Sequence, residues 1–361
     1  MLVLSNHPTW TYNLRGEVFA VLVKNGYRVI VAVGDGPEIK RLKGIGCEHV
    51  NIPYNRRGIN PLKEIKLFLS YKRLIKNVRP SVVLTYTIKP NLYGAFLSRK
   101  YEIPCMVNIT GLGSALEHPG LTQSFFLRLY RYVFRDTYKV FLQNTYNLNL
   151  FKDKGVVHGN EVLLPGSGVN LEKYKPLPYP SSETVEFAFI CRILKAKGIE
   201  QYLQAAHYLK VKYPQTKFHI CGFCDQDYMG MIEESVKKGY VIYHGMVEDT
   251  REIYKACHCT VLPSWYSEGM NNVLLESAAC ARPIITTNRP GCGEIVDNGV
   301  NGLVVKAQNK EDLIYQMETF ILMPDEKKVE MGLAGRAKVE KKFDRNIIVE
   351  KYQDAINNLF A

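Results

Sequence analysis

Two glutamates, Glu268 and Glu276, flank a glycine and two asparagines in the run Pro263-Ser-Trp-Tyr-Ser-Glu-Gly-Met-Asn-Asn-Val-Leu-Leu-Glu276. The apolar stretch before it predicts a strand ending at Leu262. Val273, Leu274, Leu275, Ala278 and Ala279 predict a helix opening near Asn271 or Asn272, because asparagine is a favoured N-cap. The amides of a first helical turn attract anions, and a glycine lets backbone and ligand approach closely. Gly269, Met270, Asn271 and Asn272 are therefore the expected cradle of a diphosphate. Helical side chains lean towards the N-terminus, so the Glu276 carboxylate reaches back to a ligand docked there. A carboxylate accepts two hydroxyls at once, which suits a ribose. Glu268, ahead of the helix, is expected at the far end of such a ligand, beside a hexose. On its own the pair would read as a loop charge, Glu268, and a solvated helix residue, Glu276.

The surroundings of the pair decide between these readings. Glu268-x7-Glu276, followed by Ala281-Arg-Pro-Ile-Ile285, resembles the donor motif of retaining GT-B glycosyltransferases of family 4 (group 1). Arg192-x4-Lys197-Gly198 resembles that family's diphosphate-binding Arg and Lys, and Leu163 to Asn170, with Tyr174 and Pro176, its interdomain signature. Gly291 to Val296 and Asn298 to Val304 resemble the stretch before its final helices. Thr11 to Arg15, Lys89 to Ala95 and Asn108 to Gly113 are similar to enzymes that extend undecaprenyl-diphosphate-linked sugars in capsule, O-antigen and N-glycan assembly, an N-acetylgalactosaminyltransferase among them.

The resemblance implies an α/β chain of the GT-B class, two doubly wound Rossmann-like domains facing a central cleft. It implies transfer of a sugar from a nucleotide-sugar with retention of configuration, without a metal or other cofactor. Arg192 and Lys197 would neutralise the diphosphate as the nucleotide leaves, which is the role of preorganised cations. Glu268 would hold the hexose, Glu276 the ribose, and Gly222, Gly245, Met246 and Val247 lie where the family holds the base. A UDP-linked hexose or N-acetylhexosamine is the expected donor, with GDP-mannose as the alternative. A polyprenyl-diphosphate-linked saccharide is the expected acceptor, with a soluble acceptor or growing polysaccharide as the alternative, and Asn13, Arg15, Lys89 and Thr110 on the acceptor or hexose side. The histidine that many members carry in the first half is missing from Thr85–Lys89 and Asn108–Thr110. Lys89 or Thr110 could replace it, and His118 is offset and reads as a loop residue.

The elements that must position these groups alternate along the chain. Strands are expected at Leu2–Leu4, Arg28–Val33 and Val82–Thr85, then at Glu186–Ile190, Lys217–Ile220, Val241–Tyr243, Thr260–Leu262 and Pro283–Thr286. Helices are expected between them, at about 13–25, 61–77 and 198–212. Such alternation means parallel sheets covered on both faces. Residues 165–182, rich in Pro, Gly and Ser, read as the linker. The expected domains are an acceptor and membrane-facing half at 1–170 and a donor half at 171–344, with a last helix at 345–361 crossing back.

Charge is just as uneven. Residues 1–170 carry 23 Lys and Arg against 10 Asp and Glu, whereas the rest of the chain is nearly balanced. That asymmetry calls for an anionic partner, and an anionic membrane surface is the expected one. In residues 121–139, Arg128, Arg131, Arg135 and Lys139 recur at helical spacing among Phe125, Phe126 and other apolar residues, the pattern of an interfacial helix. A basic tract from Arg56 and Arg57 to Arg79 adds to it. Nucleic acid is not expected, since no recognition motif accompanies the basic half. A nicotinamide enzyme is equally disfavoured, because Gly34-Asp-Gly36-Pro lacks the third glycine of a dinucleotide loop. The start of the chain has no basic-apolar leader, and no run of about 18 apolar residues occurs, so the protein is expected in the cytosol at the inner membrane face. Cys221, Cys224, Cys257 and Cys259 fit buried strand ends better than a zinc site.

Overall fold

The computed structural model describes residues 1–361 apart from 54–59, 114–115, 117–119, 182–183, 225–226 and 267. Arg56, Arg57 and His118 thus lie outside the described residues. The chain forms two units, Met1–Ser167 with Arg345–Ala361, and Gly168–Asp344.

In the first unit, runs of aliphatic and β-branched residues become β1 (Leu2–Leu4), β2 (Ile30–Val33), β3 (Glu48–Asn51), β4 (Val83–Tyr86), β5 (Cys105–Ile109), β6 (Lys139–Leu142) and β7 (Glu161–Leu163). All pair in parallel, in the order β3-β2-β1-β4-β5-β6-β7. The intervening helices are α1 (Pro8–Lys24), α2 (Ile39–Gly44), α3 (Pro61–Val78), α4 (Ile88–Lys100), α5 (Leu121–Phe134) and α6 (Thr145–Asp153). Alternation along each strand sends Leu2, Leu4, Ile30 and Ala32 into the core beneath α3 to α6, and Val3, Val31 and Val33 into the core beneath α1 and α2.

Two expectations shift here. The first helix opens at Pro8 rather than Asn13, because proline needs no amide partner in a first turn and the Thr11 hydroxyl donates to the His7 carbonyl at 2.7 Å. Lys139 leaves the basic helix: the Thr137 hydroxyl donates to the Phe134 carbonyl at 2.7 Å, the helix stops, and Lys139 opens β6.

The second unit repeats the same plan. Its strands are β8 (Glu186–Ile190), β9 (Lys217–Cys221), β10 (Ile242–Tyr243), β11 (Cys259–Leu262), β12 (Ile284–Thr287) and β13 (Gly302–Val305). They too are parallel, in the order β10-β9-β8-β11-β12-β13. Its helices are α7 (Ile199–Lys212), α8 (Met229–Lys237), α9 (Arg251–Ala256), α10 (Asn272–Ala279), α11 (Lys310–Leu322) and α12 (Asp325–Lys342), with a short 3-10 turn at Lys195–Lys197. Phe187, Phe189, Phe218 and Tyr202 are fully buried and fill the space between β8, β9 and α7. Each contributes about 1.5–3 kcal/mol by leaving water.

The crossing between the units falls within the expected linker, at Ser167–Gly168, and the Pro-rich remainder of that stretch belongs to the second unit. Arg282, buried behind β12, donates from Nη2 to the Pro178 carbonyl at 2.6 Å, from Nη1 to the Leu177 carbonyl at 3.1 Å, and from Nε to the Tyr254 carbonyl at 2.6 Å. A guanidinium with its fork of donors can be buried only where acceptors are arranged around it, and here the 177–178 backbone supplies them. The last helix, α13 (Arg345–Phe360), belongs to the first unit and packs on α1. Arg345 Nη1 donates to the Asn13 carbonyl at 3.1 Å and pairs with Glu17 at 2.9 Å, and the Tyr352 ring stacks on Phe141 with 4.6 Å between centroids.

Candidate active site

In both sheets the strand order reverses once, between β1 and β4 and between β8 and β11. Ligands of open parallel sheets bind beyond the carboxyl ends of the strands at such a reversal, where two neighbouring loops diverge. In the second unit the loop after β8 carries Arg192 and Lys197, and the loop after β11 carries Glu268 and Asn271. The two loops are stitched together. The amides of Trp265 and Tyr266 both donate to the Ala196 carbonyl, at 2.9 and 3.1 Å. Tyr266, which the sequence did not single out, lies under both cations, its ring centre 5.8 Å from the Arg192 guanidinium carbon and 5.4 Å from Lys197 Nζ.

Lys197 is 6% exposed and its ammonium is in ion-pair contact with a carboxylate oxygen of Glu268. Burial pushes this ammonium below its ordinary value, and the neighbouring Arg192 acts in the same direction. The Cys191 thiol beside it is pushed up to about 12 by burial, so it is a neutral wall and not a nucleophile. Glu268 is held from two further sides. Asn271 Nδ2 lies 3.4 Å from Oε1, and Gly291 backs the Glu268 main chain so closely that a Cβ there would sit 2.6 Å from Glu268 Cβ. Gly291 has φ +83°, and its carbonyl accepts from the Asn271 amide at 2.8 Å.

Asn271 caps α10 from an extended backbone, its Oδ1 accepting from the Leu274 amide at 3.2 Å. Among the described residues, Asn272 Oδ1 is buried without a hydrogen-bond partner. One turn further on, Glu276 Oε2 accepts from the Thr250 hydroxyl at 3.3 Å and the Tyr254 hydroxyl at 3.4 Å. Burial, with the Glu276 carboxylate adding to it, raises both the Tyr254 and Tyr174 phenols. Both phenols therefore stay protonated and available as donors. This mount for Glu276 joins α9 to α10 and could not be read from local sequence.

The remaining second-unit residues line the ends of β9 and β10. The Gly222 amide donates to the Gly245 carbonyl at 2.7 Å, and the Tyr243 hydroxyl to the Gly222 carbonyl at 2.9 Å. Gly222 has φ +134°, and a Cβ there would lie 1.8 Å from the Cys191 carbonyl oxygen, so only glycine fits. Met246 is exposed and Val247 half-buried beside it.

The first-unit candidates sit in different settings. Lys89 and Thr110 do lie just past the carboxyl ends of β4 and β5. Lys89, however, is paired with Glu64 at 2.6 Å, and the Tyr93 hydroxyl donates to the same carboxylate at 2.8 Å, tying α4 to α3. Asn13 is exposed on the second turn of α1. Arg15 is 2% exposed, its guanidinium carbon 5.4 Å from the Tyr86 ring centre. On α5, Leu127, Tyr130, Val133 and Phe134 are buried, while Leu121, Phe125, Arg128 and Tyr132 face outwards and Phe126 is half-buried. Arg131 Nε donates to the Lys154 carbonyl at 3.1 Å, and Arg135 lies 3.0 Å from Asp136.

Two family models match, "Glycosyl transferase 4-like" over residues 2–144 and "Glycosyl transferases group 1" over residues 184–322. Together they take in most of both units. The chain belongs to the group 1 glycosyltransferases. It is thus a hexosyltransferase of the GT-B fold class. It is 26% identical to the N,N'-diacetylbacillosaminyl-diphospho-undecaprenol alpha-1,3-N-acetylgalactosaminyltransferase of Campylobacter jejuni, covering 97% of this chain and 96% of that one. It is 24% identical to the UDP-Gal:alpha-D-GlcNAc-diphosphoundecaprenol alpha-1,3-galactosyltransferase of Escherichia coli, over 73% of this chain and 72% of that one. Among solved structures, Anabaena HepE in complex with UDP and glucose shares the fold, with a TM-score of 0.80 and 18% identity over 99% of both chains.

Cys221, Cys257 and Cys259 are buried on or beside β9 and β11, and burial pushes the Cys221 thiol up to about 12. Among the described residues, no group of three or more His, Cys, Asp or Glu side chains is placed to hold a metal.

Proposed function

We propose that this glycosyltransferase moves a hexose or N-acetylhexosamine from a UDP-linked donor, with retention of anomeric configuration, to a saccharide carried on a polyprenyl diphosphate. The observation that carries the reading is the meeting of Arg192, Lys197 and Glu268 at the β8–β11 reversal, with Glu276 one helical turn away. Two cations beside a capped helix start can neutralise a diphosphate without a metal, and carboxylates on either side can hold the hydroxyls of ribose and hexose. The departing phosphate would take the acceptor proton. The specificities by which the Campylobacter and Escherichia relatives are named support the lipid-linked acceptor, and that of the Escherichia relative supports the UDP-linked donor.

The outward faces of α3 and α5 would meet the cytosolic side of the membrane. α3 exposes Leu62, Ile65 and Leu69 among Lys63, Lys66, Arg73 and Lys76, and α5 exposes Leu121, Phe125 and Arg128; both pack against α4 on the same side of the sheet. Apolar anchors ringed by cations suit an interfacial, anionic surface. Among the described residues, no helix is long and apolar enough to cross a membrane.

The test is a thermal-shift panel of UDP, GDP and ADP, followed by transfer of labelled sugar to undecaprenyl-diphosphate-linked saccharides with and without EDTA. At about 100 times its dissociation constant a specific nucleotide stabilises by about 2.7 kcal/mol. UDP should shift the melting temperature and Glu276→Ala should abolish the shift, with transfer indifferent to EDTA. A response to GDP alone would replace UDP with GDP in this reading, and loss of transfer in EDTA would refute the metal-free route.

A further inference from the structure

The carboxyl edge of the second sheet extends past the donor loops. β12 and β13 follow β11 in the sheet, all in parallel, so the loops leaving them share one edge with the loop of Glu268. Asn288 and Arg289 leave β12, Lys306 leaves β13, and Asp312 stands in the first turn of α11. With Val304 and Val305 they line a pocket of about 340 Å³. Arg289 also begins the turn that reaches the donor site. Its carbonyl accepts from the Cys292 and Gly293 amides at 3.0 and 2.9 Å, and Gly291, inside that turn, backs Glu268. Neighbouring strands lie about 4.8 Å apart, so β13 is about 10 Å across the sheet from β11. A single sugar ring bearing a phosphate spans that distance.

The charges of this pocket differ in what holds them. Asp312 serves its own surroundings: its Oδ2 accepts from the Lys306 amide at 2.6 Å, and an acid in a first helical turn offsets the helix dipole. Arg289 and Lys306 are exposed, and among the described residues neither side chain makes a hydrogen bond or an ion pair. An exposed cation is ordinary by itself. Two of them on neighbouring loops around one concavity can meet an arriving anion without first giving up a partner. An arginine fork holds two phosphate oxygens at once, and lysine adds a point charge. Gly293 leaves room for a further donor, since a Cβ there would sit 2.5 Å from Asn288 Oδ1.

We infer that the pocket at the ends of β12 and β13 is the subsite for the diphosphate of the acceptor, with Arg289 and Lys306 as its cationic ligands. The inference rests on the lipid-linked acceptor proposed above and narrows it to one whose attacked sugar itself bears the diphosphate. That diphosphate keeps its charge throughout transfer, so the two cations bind ground state and transition state alike. Their loss therefore appears in the KM of the acceptor and not in kcat.

The experiment measures labelled-sugar transfer by wild-type protein, the Arg289→Ala/Lys306→Ala double variant and a charge-matched control. The control is Lys237→Ala/Lys327→Ala, whose lysines are exposed on α8 and α12. Each protein receives the undecaprenyl-diphosphate-linked monosaccharide that the wild type uses, and separately the octyl glycoside of that sugar. The double variant should raise KM for the diphosphate acceptor at least about tenfold, with kcat within about threefold and the melting temperature unchanged. KM for the octyl glycoside, and UDP affinity, should stay within about twofold in both variants. An unchanged KM for the diphosphate acceptor overturns the inference, as does an equal rise for the octyl glycoside or an equal rise in the control. A matching loss of UDP affinity overturns it too, because the pocket would then serve the phosphates of the donor. Wild-type protein that uses the octyl glycoside but no diphosphate-linked sugar is a separate failure: it removes the acceptor reading, and the inference falls with it.

Discussion

Replacing Gly291 with alanine tests whether the backbone cradle sets the position of Glu268. The new Cβ would lie 2.6 Å from Glu268 Cβ and 3.1 Å from its carbonyl oxygen. Carbon atoms settle about 3.5–4.0 Å apart, so Glu268 must move by about 1 Å. A misplacement of that size at a reacting centre costs about a hundredfold in rate. The residue also sits at φ +83°, where an L side chain costs about 1–2 kcal/mol, and the crowding adds about 1–3 kcal/mol. Taking about 3 kcal/mol for the sum, the second unit should melt about 6–12 °C lower. The assay pairs a melting curve with labelled-sugar transfer, below the melting point of the variant. UDP affinity should remain within a few-fold, because the Arg192 and Glu276 contacts are untouched. Transfer within about threefold of wild type, despite the lower melting point, would refute the claim that this cradle positions Glu268.

The C-terminal helix gives a second test. The Tyr352 hydroxyl, buried on α13, donates to Asn108 Oδ1 near the end of β5. Tyr352→Phe keeps the stack on Phe141 but withdraws that donor, so denaturant titration should show a loss of about 1–3 kcal/mol; a change below about 0.5 kcal/mol would show that the bond is not a net stabiliser. A third test uses pH. His219 donates or accepts at 2.8 Å with His244 and lies 2.9 Å from Glu186, yet burial lowers both histidines from their ordinary values. The unfolded chain therefore binds their protons at higher pH than the native state, so stability should fall as pH drops below about 6.5. Glu186, itself lowered with its Lys217 and His219 partners opposing burial, loses its own stabilisation only in the more acidic carboxylate range. Urea titrations from pH 7.5 to 5.5 should show the decline, reduced in His219→Asn; a flat profile would remove the histidines as its cause.

Strand positions and the start of α10 were legible because they depend on near neighbours. Glu186 to Ile190 alternates between the two faces of one sheet, and Asn271 caps a helix whose first residue follows it directly. The Glu268 to Glu276 spacing was legible for the same reason: one loop and one turn carry both. What the local sequence did not show has a distant partner. The Pro176–Pro180 stretch has the composition of a linker, but its carbonyls are held by Arg282, more than a hundred residues away. Arg15, expected on the acceptor or hexose side, is buried with its guanidinium over the Tyr86 ring, a partner on β4 that its own neighbours do not show.

What the sequence determined by itself was the alternation of parallel strands and helices, the uneven charge and the chemical types at the ends of particular strands. Periodicity, capping and glycine tolerance are local, and a single chain displays them without its partners. Only the tertiary structure decided that Lys197 faces Glu268, that Tyr266 lies beneath both cations, and that Thr250 and Tyr254 hold Glu276. Those contacts arise where β8 and β11, far apart in the chain, become neighbours at the reversal of the sheet. Strand order is settled by which apolar faces bury together, a property of the whole core, so the charges carried there acquire their partners only once the sheet has formed.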